Sequence, residues 1–208
     1  MIEKIKEMKS LMIDEDILAN IFLNYSSYKN NDIIFLLKKQ FSIKLGIEIK
    51  DIKLIGSGHI GFGIDINKSI ITKKSVGDLD FVIINNDFFI KIYEKIKNNN
   101  YIKIGNRLKY KMNKDQKIPT FEEAFNKNYK NDKLHLRYVT PDFFILKICK
   151  EVDKYLENNF GINLKTSCCI YKNEKAFLKN QNRYYLSFLK NLKLEENKEE
   201  KIEKVYGY

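Results

Sequence analysis

The sequence predicts an α+β fold: a small mixed β-sheet flanked by helices, with a helical C-terminal portion. Three observations predict it. Apolar residues recur at three- and four-residue steps in several stretches, which is the helical period. Two short β-branched runs are bounded by glycine or asparagine turns, as strands are. No repeat or linker divides the chain of 208 residues, and 44% hydrophobic and 13% aromatic content suffice for one packed core. A single domain is therefore expected over residues 1–194, with core motifs in 52–84 and the helical portion at about 143–194.

Met1 to Tyr25 reads as one helix, because Ile2, Ile5, Met8, Leu11 and Met12 share a face. Asn31 to Gln40 reads as a second, capped near Asn30 or Asn31, and Gly46 closes the region. Ile52 to Ile55 is a short apolar strand broken by Gly56-Ser57-Gly58. A glycine-rich stretch with Gly61 and Gly63 follows, then a polar surface loop from Asn67 to Ser75. Asp78 to Ile84 has the β-branched and aromatic content of a buried strand. Asn85-Asn86 turns the chain into an amphipathic helix, Asp87 to Lys97, ended by Asn98-Asn99-Asn100.

Tyr101–Ile104 and Arg107–Met112 alternate around Gly105-Asn106 as a hairpin would, although their lysines also suit a solvated helix. Thr120 and Glu123 form a capping-box pattern, and Leu134 to Val139 alternates as a strand. Phe143 to Leu156 is a helix stopped by Gly161, and Glu174 to Leu192 is the last helix. The tail, 195–208, is charged and reads as disordered.

Composition excludes several classes. No apolar run approaches the roughly 20 residues of a membrane-spanning helix, and the acid-containing N-terminus lacks the apolar core of a signal peptide. Cys149, Cys168 and Cys169 are odd in number and without a CxxC, while His59 and His135 lie far apart. A zinc site is not expected; the cysteines read as small apolar filler in a cytoplasmic chain. Lys+Arg 38 against Asp+Glu 27 gives a net charge of +11, nearly all from lysine, since the arginines are Arg107, Arg137 and Arg183. Base and bidentate phosphate recognition favour arginine. The charge fits a lysine-rich solvated surface as well as a nucleic-acid partner.

One constellation carries chemistry. Asp78 and Asp80, two apart on a strand, point to the same face. Two carboxylates held together repel and need a proton or a cation between them. A hard ion such as Mg²⁺ takes one or two carboxylates plus substrate phosphates. Gly56-Ser57 offers backbone N–H groups and a hydroxyl at a turn, a cradle for phosphate oxygens. The plainer alternatives are a strand-ending turn for the glycines and ordinary turn acids for the aspartates. His59 in that turn reads as a structural histidine, and Tyr184, Tyr185 and Phe188 read as core rather than as a base-stacking platform.

The segments LIGSGHIGFGI and GDLDFVII together resemble the nucleotidyltransferase superfamily typified by DNA polymerase beta. Its hallmark is hydrophobic-Gly-Ser, a spacer, then Asp-x-Asp followed by apolar residues. The likeness covers Ile52 to Ile84, and the GS-x-x-x-GF spacing is similar to that of small stand-alone bacterial members. HLRYVTPDFF and IYKNEKAFLKNQNRYY resemble the tails of such proteins. The resemblance implies a nucleotidyltransferase fold and Mg²⁺-dependent transfer of a nucleoside monophosphate from an NTP to an acceptor such as RNA or protein, releasing pyrophosphate. Asp78 and Asp80 would hold two Mg²⁺ ions, Gly56 and Ser57 would bind the nucleotide, and Lys73 and Lys74 would face the leaving pyrophosphate.

Two departures stand out. The Ser57–Asp78 spacer is long, and active members usually carry a third carboxylate on a neighbouring strand. Leu134–Val139 holds His135 and Arg137 but no acid. Asp132 and Asp142 bracket it; Asp142 is the candidate third metal ligand, although Pro141-Asp142 before a helix is also an ordinary cap. The missing acid motivates an alternative, a catalytically degenerate binding module, antitoxin-like or a phage-defence partner. A purely electrostatic nucleic-acid binder is a third.

Overall fold

The computed structural model describes residues 8, 13–24, 31–60, 63–65, 70–72, 78–105 and 118–182. The fold is α+β. A four-stranded mixed sheet has the order β1 (Ile52–Ile55), β4 (Asp78–Ile84), β6 (Lys165–Tyr171), β5 (Lys133–His135). A separate two-stranded antiparallel sheet joins β2 (Gly63–Asp65) to β3 (Ile70–Thr72). The Asn67–Ser75 stretch is thus not loop throughout: β-branched Ile70, Ile71 and Thr72 pair with Asp65, Ile64 and Gly63.

The sheet is buried on two sides by different helices. Leu79, Phe81 and Ile83 of β4 and Cys168 and Ile170 of β6 face α2 (Asn31–Leu45), α4 (Asn86–Asn98), α5 (Phe121–Tyr129) and α6 (Phe144–Phe160) in the larger core. Val82, Cys169 and Tyr171 face α1 (Asp14–Asn24) and α7 (174–182) in a smaller one. Each fully buried Phe or Leu contributes roughly 1.5–3 kcal/mol, so both layers are needed to hold the central strands.

Local chemistry explains most boundaries. Asn85 caps α4 by accepting from Phe88 N at 2.9 Å. Thr120 and Glu123 make the reciprocal capping box that opens α5, at 2.8 and 3.0 Å. Ile145, Ile148, Val152 and Leu156 form the buried stripe of α6, which ends at Gly161. Helix α2 continues five residues past Gln40, because Phe41 and Leu45 keep its buried face apolar before Gly46 turns at φ 66°.

Three expectations are corrected. Met1–Tyr25 is not one helix: Ile13 is not helical, and α1 begins at Asp14. Its first turn, Asp14-Glu15-Asp16, suits the positive end of a new helix dipole. The strand expected at Leu134–Val139 stops at His135 and becomes a 3-10 turn over Leu136–Tyr138, after which Val139 bridges Ile102. That bridge occupies one arm of the expected Tyr101–Met112 hairpin. Finally, β6 was not expected at all, and it is a central strand. Arg107–Met112, Lys73, Lys74, Tyr184, Tyr185, Phe188 and the tail lie outside the described residues.

Candidate functional site

The smaller core covers only part of its sheet face. It packs on Val82, Cys169 and Tyr171, but the strand positions before them emerge beyond α1 and α7. There the parallel register sets Asp80 opposite Ser167 and Asp78 opposite Lys165. Asp78, Lys165 and Ser167 are exposed and Asp80 is half-buried, while Leu79 between the acids is fully buried on the other side. The strand period therefore delivers both carboxylates to one open patch.

On the opposite flank, β1 runs antiparallel to β4 with Ile55 opposite Asp80. The next residues, Gly56 and Ser57, open the short helix α3 (Gly56–Ile60). Gly56 has φ 64°, and a Cβ built on it would lie 3.0 Å from Asp80 Oδ2. Only glycine lets the backbone come this close to the carboxylate in this conformation. Gly56, at the junction of β1 and α3, thus stands in a row with Asp80 on β4 and Ser167 on β6.

The row is anchored from both sides. His59 Nε2 lies 2.8 Å from the Ile21 carbonyl, and its ring stacks on Phe22 with centroids 5.3 Å apart. A carbonyl oxygen can only accept, so Nε2 carries the proton and the ring ties α3 to α1. Burial lowers the His59 pKa to about 4, keeping the ring neutral. This is the structural role expected of it. On β6, Thr166 N and Oγ1 donate to Asp153 Oδ1 of α6 at 2.6 and 2.7 Å, fixing the strand height at which Ser167 faces Asp80.

Electrostatically the patch is strained in the way two close acids must be. The Asp78 carboxyl, although its residue is exposed, is raised above its usual range, chiefly by partial desolvation and then by the Asp80 charge. Ser167 Oγ donates a hydrogen bond to Asp80 Oδ1. The hydroxyl relieves Asp80 without neutralising either acid.

Asp142 does not join them. It is exposed, two residues ahead of α6, and roughly 14 Å of helix separates Phe144 from Asp153, the residue that meets β6 near the site. Asp132 belongs to the turn before β5, where its carbonyl accepts from Lys172 N at 3.0 Å. Among the described residues no group of three or more His, Cys, Asp or Glu side chains is placed to share a metal ion. The strand beside β4 is β6 rather than Leu134–Val139, and it offers Ser167 and Lys165, which the sequence reading missed. Their signal was faint: exposed Lys165 and Ser167 alternate with buried Thr166 and Cys168 over only four positions before the strand is buried on both faces.

The donor set fits a hard divalent cation in company. Two carboxylates on one face match the share of the coordination shell that proteins supply to Mg²⁺ when phosphates supply the rest. All three cysteines are buried and free, with Cys149 pushed up to about 12 and Cys169 to about 11, mainly by burial. They are inert filler, not nucleophiles. Among the described residues no helix is long and apolar enough to cross a membrane. No protein-family model, curated protein or solved structure matches the chain.

Proposed function

We propose that the chain is a Mg²⁺-dependent nucleotidyltransferase, with Asp78 and Asp80 as metal ligands and the Gly56–Ser57 turn as the seat of the triphosphate. The observation that carries the reading is the close approach of Gly56 to Asp80, with Asp78 on the same exposed face. It sets a bare backbone turn against the carboxylate pair, with Ser57 next along the chain, the pairing that a metal-bound phosphate needs. Magnesium held there would offset the charge of the phosphates and lower the pKa of an acceptor hydroxyl.

The residues have separate tasks. Gly56 leaves room for a phosphate oxygen beside the carboxylates, and Ser57 supplies a hydroxyl and an N–H to it. Ser167 orients Asp80 through its hydrogen bond. Lys165, opposite Asp78, adds a cation at the mouth. In the reaction the acceptor oxygen bonds to the α-phosphorus and the α-phosphorus bond to the bridging oxygen breaks. Pyrophosphate leaves with the electron pair, and the hydroxyl proton passes to solvent.

The test is calorimetry of MgATP and the other MgNTPs with the wild type and with Asp78→Asn/Asp80→Asn. Binding is expected in the wild type and loss in the variant; identical affinities would sink the assignment. A second reading, the catalytically degenerate binding module, is favoured by Ser167 occupying the position beside Asp80 where an acid would complete the site. Incubation with labelled NTPs, cellular RNA and cellular protein separates the two. Label transfer by the purified chain excludes the degenerate form, and tight MgNTP binding without transfer establishes it.

A further inference from the structure

A second feature lies on the same sheet face. The outer edge of β5, with α5 and α7, walls a cleft of about 380 Å³. Lys127, Lys133, Arg137 and Lys179 line it together with His135 and Asn180, and among the described residues no carboxylate lines it. The four cations come from α5, β5, the turn after it and α7. Among the described residues none of them forms an ion pair. Lys133 is held in place: its Nζ donates to Asn180 Oδ1 at 3.0 Å and lies 5.3 Å from the Tyr171 ring centroid. Lys127, Arg137 and Lys179 are exposed.

We infer that this cleft binds the phosphate backbone of a nucleic-acid strand. Cations contributed by four segments along a concave surface match a series of phosphates, each displacing counterions, better than they match one small anion. A bilayer surface cannot enter a concavity of this size. Arg137, one of only three arginines in the chain, stands here with its planar fork exposed.

The cleft also communicates with the acidic patch. His135 pairs with Cys169, and Cys169 pairs with Val82, two residues beyond Asp80 on the same face of β4. Strand spacing and rise put His135 roughly 12 Å from Asp80. A strand in the cleft therefore has its end within reach of Asp80, which makes it the acceptor. That last step rests on the nucleotidyltransferase reading; the binding does not.

The experiment uses the full chain and fluorescence anisotropy with a labelled single-stranded RNA and a DNA of the same sequence. Arg137→Glu/Lys179→Glu reverses two exposed cleft cations, and Lys91→Glu/Lys150→Glu makes the same charge change on exposed positions of α4 and α6. The cleft variant should bind at least ~10-fold more weakly, with a log–log salt slope shallower by about two. The control should lose no more than about threefold, and both should melt like the wild type. The ratio of RNA to DNA affinity identifies the sugar. Absence of binding by the wild type, equal loss in the control, or equal competition by polyglutamate overturns the inference. The acidic patch is scored separately. Asp78→Asn/Asp80→Asn should keep strand binding, and the cleft variant should keep MgATP affinity while losing label transfer to RNA. Strand binding with label transferred to protein but not to RNA rejects the acceptor role alone; strand binding with no transfer to either rejects the transferase reading as well, and both leave the cleft standing.

Discussion

Ser167 Oγ donates a hydrogen bond to Asp80 Oδ1 across the parallel β4–β6 pair, at the point where the sheet emerges from under α1 and α7. The side chain beside the half-buried acid is thus a neutral donor. Replacing it by a third carboxylate converts relief into repulsion unless a cation is present. Ser167→Asp should therefore melt below the wild type in chelator and gain more from Mg²⁺ than the wild type does. Thermal unfolding with and without Mg²⁺ reads both effects; a variant whose melting temperature ignores Mg²⁺ would count against metal binding at this patch.

Gly56 and Gly46 provide a matched pair. Both have left-handed backbone, φ 64° and 66°, but a Cβ on Gly46 meets nothing within 4 Å while one on Gly56 strikes Asp80 Oδ2 at 3.0 Å. Alanine at either site carries the backbone cost, of the order of 1–2 kcal/mol. Only Gly56→Ala should also displace the carboxylate. Denaturant titration should show comparable stability losses, and calorimetry should show MgATP affinity reduced in Gly56→Ala alone. Equal retention of affinity in both would remove the argument from close approach.

How far these relationships were legible in the sequence depends on how local their causes are. Ile52–Ile55 and Asp78–Ile84 announced themselves through β-branched content and glycine turns, and with them the shared face of the two aspartates. The Thr120 cap and the α6 stripe were equally local. Strand β6 was hidden because its opening Lys-Thr-Ser reads as polar. Thr166 is buried there because acceptors on α6, Asp153 Oδ1 and the Cys149 carbonyl, thirteen and seventeen residues earlier, satisfy its N–H and hydroxyl. Its pairing with β4 joins residues 87 apart, Asp80 and Ser167, and no periodicity encodes that. The Leu134–Val139 strand misled for the opposite reason. Leu134, Leu136 and Tyr138 stay alternately buried through the 3-10 turn, so the burial pattern outlives the ladder.

Asp78 gives a pH signature. Its carboxyl is raised by partial desolvation and by Asp80, so the folded state holds that proton more tightly than the unfolded chain. The associated stability is full at low pH and is lost as pH rises through the raised value. At neutral pH the ionised pair destabilises the metal-free protein. Asp78→Asn should accordingly melt above the wild type in chelator, and the advantage should shrink when Mg²⁺ is added. Melting curves in the two conditions decide it: a variant less stable than the wild type in chelator contradicts the repulsion.

His59 works in the other direction. Burial under α1 lowers its pKa from 6.5 to about 4, against the opposing pull of its Nε2–H bond to the Ile21 carbonyl and with a smaller push from the Lys38 charge. Above about pH 6.5 neither state is protonated and the neutral ring contributes fully. As pH falls from there toward 4, the unfolded chain gains the proton first, so stability is lost across that window. The full loss is about 3 kcal/mol. His59→Gln keeps an amide donor for Ile21 and removes the titration. The stability gap between wild type and variant, measured by urea unfolding, should narrow steadily as pH is lowered through this window. Parallel curves for the two proteins would show that the ring is not the group that ties α3 to α1 in its neutral form.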